Sequence, residues 1–351
     1  MRGESIKKQE ILKEKGQGRK NTMQNTTNDM TRGNSMKLIF QFFLPILIGN
    51  LFQQFYSFVD SMVVGKGIGD TALAAVGNTS SVHFLIIGFA VGLTGGLGIC
   101  ISHSFGANDT KKLRKEIAMS VYICLAIGIV ITTFSLLLMR RLFIFLQTPE
   151  DMMTDTLVYF GTILAGSTIT IFNNFVMTLL RSVGNSKVPL VSMVLSAIAN
   201  IVLDLLFIGA FHWGVWSAAV ATTISQAVSM VLCMLHLMKK GTIYQVELQK
   251  LCIDREMLGQ IIRYGLPSGV QNSVIGFANV IVQSNINSFG KVAMAAYGAY
   301  SKLEGFAFLP VTSFTMALTT FVGQNLGAGL YDRAKKGSRF GIIASVVIAE
   351  I

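Results

Sequence analysis

Long apolar runs separated by short polar segments dominate this sequence. Most of the runs reach or exceed the roughly 20 residues that a helix needs to cross a bilayer. The pattern therefore predicts an all-α, polytopic membrane protein. Eight complete spans and part of a ninth are predicted, at about residues 38–64, 72–104, 117–139, 157–180, 188–211, 214–238, 258–286 and 292–321, with the ninth beginning near 340.

The composition agrees with a membrane protein. Hydrophobic residues make up 52% of the chain and charged residues 13%, with a mean hydropathy of +0.57. A soluble domain carries about 25% charged residues. The four cysteines are scattered without a CxxC pair, so we expect neither disulfides nor a bound metal from them.

The basic residues predict the orientation of the chain. Alternate segments between the spans hold 23 of the 29 lysines and arginines, and the segments on the other side hold only 4. Basic loops stay in the cytoplasm, so the N-terminus is predicted to be cytoplasmic. The net charge of +11 is thereby explained by topology, and no nucleic-acid partner is expected. The basic segments are 1–37, 105–116, 181–188, 239–257 and 322–339.

An internal repeat divides the spans into two lobes. Three pairs of similar segments recur at an offset of 221 or 222 residues, which covers six spans. Six is an even number, so both copies enter the membrane from the same side, as in transporters with parallel repeats. The pairs are LPILIGN (44–50) with LPSGVQN (266–272), LAAVGN (73–78) with MAAYGA (294–299), and SFGANDTKKLRK (104–115) with NLGAGLYDRAKK (325–336).

The repeat predicts the domain organisation. Residues 1–36 are interpreted as a disordered cytoplasmic tail, whose true start is Met1, Met30 or Met36. Residues 37–240 form the first six-helix lobe, and 241–256 link it to a partial second lobe at 257–351. Because the second lobe has only two spans and part of a third, we expect the chain to be a C-terminally truncated fragment.

Polar residues inside the spans indicate a cation site. A carboxylate at the centre of a membrane helix costs about 2.5–3.5 kcal/mol on insertion scales. Asp60 lies in the first span and Asp204 in the fifth, with Asn200 one turn before Asp204 and Thr222 in the sixth span. Their hard oxygens suit Na⁺, and two neighbouring carboxylates can also share a proton. Capping by Asp60 and interhelical bonding by Asn200 and Thr222 are the structural alternatives.

Other polar residues are candidates for a substrate cleft. Tyr56, one turn before Asp60, can contact an aromatic cation or simply line the helix interface. Glu304 can act in coupling or pair with Lys302 or Arg263. The remaining candidates are Asn50, Asn272 and Gln283.

Several motifs together resemble the MATE (multidrug and toxic compound extrusion) family, with DinF- and NorM-like features. The resemblance covers about residue 36 to the end and implies two six-helix lobes and cation-coupled antiport of organic cations. It implies the cation site at Asp60, Asn200, Asp204 and Thr222, but the seventh span, SGVQNSVIGF, lacks the carboxylate of other members. The motifs are YSFVDSMVVGKG, LAAVGN, SFGAND, RSVGNSKVP, NIVLDLLFIG, GVWSAAVATTISQ and VGQNLGAG.

This interpretation implies Na⁺ or H⁺ as the coupling ion and no other cofactor. Organic cations are the expected substrates of a monomer embedded in lipid, in a cell membrane and specifically the bacterial inner membrane. A flippase for lipid-linked or polysaccharide precursors is the alternative, and the absence of Lys and Arg from the first-lobe spans argues against it. An enzyme is not expected, because the sequence has no HExxH or GxSxG motif and no paired catalytic motif of the GxGD type.

Overall fold

The computed structural model describes residues 29–239, Tyr244 and 254–350, and every regular element in this part of the chain is helical, as predicted. Ten α-helices and one π-helix follow one another with short connections. They are α1 (Ser35–Gly67), α2 (Asp70–Gly106), α3 (Thr110–Phe145), α4 (Glu150–Ala165), α5 (Ser167–Ser182), α6 (Lys187–Asp204), the π-helix (Leu205–Ala210), α7 (Trp216–Leu237), α8 (Arg255–Asn287), α9 (Lys291–Gly327) and α10 (Tyr331–Glu350).

Six helices in the described residues are long and apolar enough to cross a membrane, or seven if the bent pair α4–α5 counts as one span. The helix α8 was predicted as a further span. It has the length, with 33 residues. Its sequence is more polar, because it carries Gln271, Asn272, Gln283, Asn285 and Asn287.

The predicted fourth span, 157–180, is two helices that meet at a bend of 47°. The bend falls at Gly166, where an added Cβ would collide with Thr223 of α7. Beyond it, the hydroxyl of Thr132 in α3 lies 2.6 Å from Ser167 Oγ and 3.1 Å from Thr168 Oγ1. A close helix contact and hydroxyl bonding therefore fix the break.

The helix α2 lies at the centre of the bundle and packs along α8 through glycines. A Cβ added to Gly92 would collide with the Ser268 carbonyl, and one added to Gly96 would collide with the Gly265 backbone. From the α8 side of the same contact, a Cβ added to Gly269 would lie 2.9 Å from the ring of Phe89 in α2. Small residues let membrane helices approach closely, and here they bring two backbones together.

Positions that the repeat relates also meet across α2 and α9. Gly77 and Gly298 are 221 residues apart, and a Cβ added to Gly77 would lie 3.9 Å from Gly298 Cα. At the C-terminal ends of the same helices, a Cβ on Gly106 would collide with Gln324, and one on Gly327 with the His103 carbonyl. The two related helices thus cross closely at both ends.

Hydrogen bonds hold α8 to the first six helices at both of its ends. At the start, Asp254 caps the helix and accepts a hydrogen bond from Lys115 Nζ at 2.9 Å, which lowers the pKa of the Asp254 carboxyl. At the end, buried Asn287 donates to Asn78 Oδ1 at 3.0 Å and to the Leu146 carbonyl at 2.9 Å. Although the predicted second lobe begins at α8, this helix is bonded to the first.

A short segment before α1 packs against α9 and α10. The Met30 side chain is fully buried, and its N–H donates to Gln324 Oε1 at 3.2 Å. Asn325 Nδ2 and Arg333 Nη2 both donate to the Met30 carbonyl, and Arg333 Nη1 donates to Gly33 O at 2.6 Å. Residues 29–34 therefore differ from the predicted disordered tail, because their backbone has partners and Met30 fills an apolar site.

Other parts of the predicted domain division lie outside the described residues. These are the tail over 1–28 and the linker over 240–243 and 245–253. The division into lobes at that linker stays a prediction.

The glycine contact between α2 and α8 gives a direct test. Gly92→Ala places a methyl group against the Ser268 carbonyl, and overpacking of this kind costs about 1–3 kcal/mol. We expect a lower unfolding temperature in detergent, measured by thermal denaturation.

The matched control is Gly95→Ala on the same helix, where an added Cβ meets nothing within 4 Å. That change removes a flexible residue from a helix and leaves stability equal or higher. Equal unfolding temperatures for the two variants would contradict the packing described here.

Candidate functional site

The two carboxylates predicted inside the membrane lie together. Asp60 is near the C-terminal end of α1 and Asp204 is the last residue of α6. Their side chains are 6% and 0% exposed, so both are removed from solvent. The helices bring together two acids that are 144 positions apart in the sequence.

The partner of Asp204 is the Asp60 carboxyl, which lies within hydrogen-bonding reach. No N–H or O–H among the described residues donates to either carboxylate oxygen of Asp204. A hydrogen bond between two carboxyls requires a proton on one of them. Two negative charges in this position would repel, so the pair needs a proton or a bound cation.

Asn200 and Thr222, which were predicted to belong to the same site, lie next to each other beside Asp204. Asn200 is fully buried one turn before Asp204, and its Nδ2 donates to Thr222 Oγ1 at 3.4 Å. With the amide oriented in this way, Asn200 Oδ1 is buried and accepts no hydrogen bond from a described residue. The group therefore offers carboxylate, amide and hydroxyl oxygens, which are ligands for a hard cation.

A π-helix begins immediately after Asp204, and the sequence pattern did not predict it. It covers Leu205–Ala210 and interrupts what would otherwise be one regular helix. Short π segments inside α-helices frequently occur at functional sites. Aromatic rings stack within and after this segment: Phe207 on Trp213, with centroids 4.9 Å apart, and Trp213 on Trp216, 5.3 Å apart.

A second layer of polar side chains surrounds the carboxylates. Tyr56 is buried beside Asp60 and Asp204, and its hydroxyl is within hydrogen-bonding reach of Gln53 and Gln226. Gln226 Oε1 in turn accepts a hydrogen bond from Thr170 at 2.5 Å. The candidate Tyr56 is thus part of the site.

The other four cleft candidates lie elsewhere. Asn50 donates to Ser313 of α9 at 2.9 Å, and Asn272 donates to the Ser268 carbonyl within α8 at 3.3 Å. Gln283 donates to Asn287 at 2.7 Å, and Asn287 in turn donates to Asn78 and to the Leu146 carbonyl. Glu304 is exposed and accepts a hydrogen bond from Tyr300 at 3.4 Å. None of these four joins the carboxylate group.

The structure adds residues that were not singled out in the sequence. Gln226 follows Thr222 by four positions, which places both on one face of α7, and Gln53 precedes Tyr56 by three on α1. That spacing was visible in the sequence and could have identified both.

Arg181 corrects the statement that the first-lobe spans carry no basic residue. It was assigned to a cytoplasmic loop, but it lies in the last turn of α5. Its guanidinium contacts the sulfurs of Met193 in α6 and Met316 in α9, at 3.3 and 3.4 Å. The helix α5 continues for two residues beyond the apolar run, which ends at residue 180. Arg181 therefore lies inside the helix and not in the loop.

Comparison with known proteins identifies relatives. The sequence model of the MatE family matches residues 45–206 and 267–351. A protein named "Probable multidrug resistance protein YoeA" from Bacillus subtilis (strain 168) is 27% identical over 317 residues, covering 88% of this chain and 68% of that protein. "Multidrug export protein MepA" from Staphylococcus aureus (strain NCTC 8325 / PS 47) is 23% identical over 313 residues, covering 89% and 68%.

Solved structures are also similar. One is described as the outward-facing conformation of a multidrug resistance MATE family transporter of the MOP superfamily. It matches with a TM-score of 0.83 at 28% identity, over 91% of this chain and 71% of that one.

The carboxylate pair predicts an effect on stability. In Asp204→Asn, the amide replaces a buried carboxylate beside Asp60 and can donate an N–H to it. We expect the variant to be more stable at pH 8 by roughly 1–3 kcal/mol, because the parent must bind a proton or hold two repelling charges there, whereas the amide donates a hydrogen bond without either cost. Thermal unfolding in detergent measures the difference.

Asp332→Asn is the control, because Asp332 is an exposed acid at the start of α10 and its change should have little effect. An Asp204→Asn variant less stable than the parent would show that the carboxylate has a stabilising partner instead.

Proposed function

The chain belongs to the MATE family, and from its buried carboxylates we propose that it exports organic cations across the cell membrane in exchange for Na⁺ or H⁺. MATE proteins are transporters, so the protein is a multi-pass membrane transporter of small molecules and not an enzyme. The names of its relatives refer to multidrug resistance and multidrug export. Those names support drug-like substrates for this chain.

One observation carries the coupling proposal: the Asp60 and Asp204 carboxyls are buried side by side. A cation that binds between them removes their repulsion, and its affinity depends on their separation. If the two conformations of a transporter hold the carboxyls differently, the cation favours one conformation over the other. Cation binding from outside would thereby favour release of the drug to the outside.

The arrangement supports both candidate ions. Asn200 Oδ1 and both oxygens of Asp204 lack a hydrogen-bond donor among the described residues, so they are available to Na⁺. The contact between the two carboxyls equally suits a shared proton. We keep both ions within the proposal. Removal of the Thr222 hydroxyl should weaken Na⁺ binding but not proton binding, so a substitution at this residue tells them apart.

The orientation and setting complete the proposal. The distribution of Lys and Arg supports a cytoplasmic N-terminus, and bacterial relatives support a bacterial cell membrane. A monomer is proposed. The flippase alternative is less supported, since the site at Asp60 and Asp204 is acidic.

Loss of either carboxylate should abolish coupled export. We would express the parent, Asp60→Asn and Asp204→Asn in an efflux-deficient bacterium and follow ethidium efflux from energised cells. Both variants should retain less than about a tenth of the parental rate, because a neutral amide cannot exchange a proton or balance a cation. Immunoblots of membranes verify equal amounts, and Asp332→Asn serves as the exposed-acid control.

Normal efflux by both variants would refute the assignment of coupling to this pair.

Thr222→Val identifies the ion. The change keeps the shape and removes a hydroxyl oxygen, so a Na⁺ site would lose one ligand. If Na⁺ is coupled, we expect the Na⁺ concentration for half-maximal efflux to rise roughly tenfold, the effect of losing about 1.4 kcal/mol. If H⁺ is coupled, efflux in sodium-free buffer should be unchanged. A loss of efflux in both buffers would contradict a role limited to ion ligation.

A further inference from the structure

A small cavity lies inside the first repeat, on the side of the carboxylates that is predicted to face the cytoplasm. This inner cavity has a volume of about 10 Å³. A space of that size holds about one water molecule when polar groups surround it. Its lining is Gln53, Tyr56, Asn173, Met177, Met193, Ser196 and Gln226.

One lining group has no protein partner. Asn173 is 7% exposed, and its Oδ1 accepts no hydrogen bond from a described residue. A buried amide oxygen without a donor is unfavourable by about 1–3 kcal/mol. Because this oxygen belongs to the lining of the inner cavity, it indicates that a water molecule or a small cation binds there.

Polar contacts connect the inner cavity to the carboxylate pair. Tyr56 belongs to both, since it lies beside Asp60 and Asp204 and also lines the inner cavity. Its hydroxyl reaches Gln53 and Gln226, which line the inner cavity too. A cation leaving the carboxylates would therefore meet polar groups along this direction.

The cytoplasmic end of the inner cavity is closed by sulfur and by a positive charge. Met177 and Met193 supply its apolar wall. Behind Met193 lies the guanidinium of Arg181, which contacts Met193 Sδ at 3.3 Å. Arg181 Nε is buried without a hydrogen-bond partner, and no ion pair of Arg181 with a carboxylate occurs among the described residues.

An uncompensated guanidinium repels small cations. Pores that exclude protons and cations use a fixed positive charge in the same way. Arg181 stands at the end of α5 near the cytoplasm, where such a charge separates the inner cavity from the basic side of the protein. Its position therefore fits a barrier better than a binding site for the transported cation.

We propose that the coupling cation reaches the cytoplasm through the first repeat, by way of the inner cavity, and that Met177, Met193 and Arg181 close this route. The inference rests on the proposed coupling at Asp60 and Asp204. It adds a release route for the cation within the first repeat.

The test measures cation leak without any drug. Purified protein in liposomes containing a pH-sensitive dye would receive a membrane potential, and H⁺ entry would be followed. Uptake of radioactive Na⁺ gives the second readout. We expect Arg181→Gln and Met193→Ala each to raise the drug-independent flux by about tenfold or more, because a charge or an apolar wall is removed.

Conservative changes and controls sharpen the test. Arg181→Lys keeps the positive charge, so its drug-independent cation flux should equal that of the parent. Asn173→Leu, added to Met193→Ala, puts an apolar group into the inner cavity and should return the flux to the parental level. Arg141→Gln and Met238→Ala change exposed side chains of the same types and should leave the flux unchanged.

The outcomes separate this inference from the proposed function. Parental flux in folded Arg181→Gln and Met193→Ala, together with failed export by Asp60→Asn and Asp204→Asn, would overturn the route and leave the coupling site intact. Normal export by the two Asp variants would instead overturn the coupling proposal. Increased flux in Arg181→Lys equal to that in Arg181→Gln would overturn the role of the charge.

Discussion

The structure depends on backbone contacts along α2. This helix presents glycines to α8 at Gly92 and Gly96 and to α9 at Gly77 and Gly106. In lipid, apolar side chains gain little by leaving one hydrocarbon surface for another, so close packing and hydrogen bonding must hold helices together. The absence of side chains at these positions lets α8 and α9 lie against the first repeat, and the polar residues of α8 then find partners there.

The same helix packing fixes the carboxylate site. Asp60 and Asp204 come from helices α1 and α6, and the bend at Gly166 allows α5 to follow α7 closely. Polar groups that would be costly in lipid therefore face one another inside the first repeat. The result is a row of polar side chains that begins at the two carboxylates and continues through Tyr56, Gln53 and Gln226. The row ends at the sulfur of Met193.

Much of this could be predicted from the sequence, because hydropathy, charge and repeats report on the bilayer directly. The all-α fold, the helix positions and the grouping of Asp60, Asn200, Asp204 and Thr222 follow from the apolar runs and from residue spacing. The bend at Gly166 and the π-helix after Asp204 could not, since both arise from contacts between helices. Met30 was missed for a related reason: its binding site is made by residues about 300 positions later.

The π-helix after Asp204 has a mechanical consequence. A π turn contains one residue more than an α turn, so conversion of Leu205–Ala210 to α-helix would rotate everything beyond it by about 100° and move it by about 1.5 Å. Trp213 and Trp216 lie beyond the segment, and Trp213 stacks on Phe207 within it. Asp204, which we propose as a ligand of the cation, is thus joined to these rings by the π segment, so a change in the register of that segment would move the rings relative to Asp204.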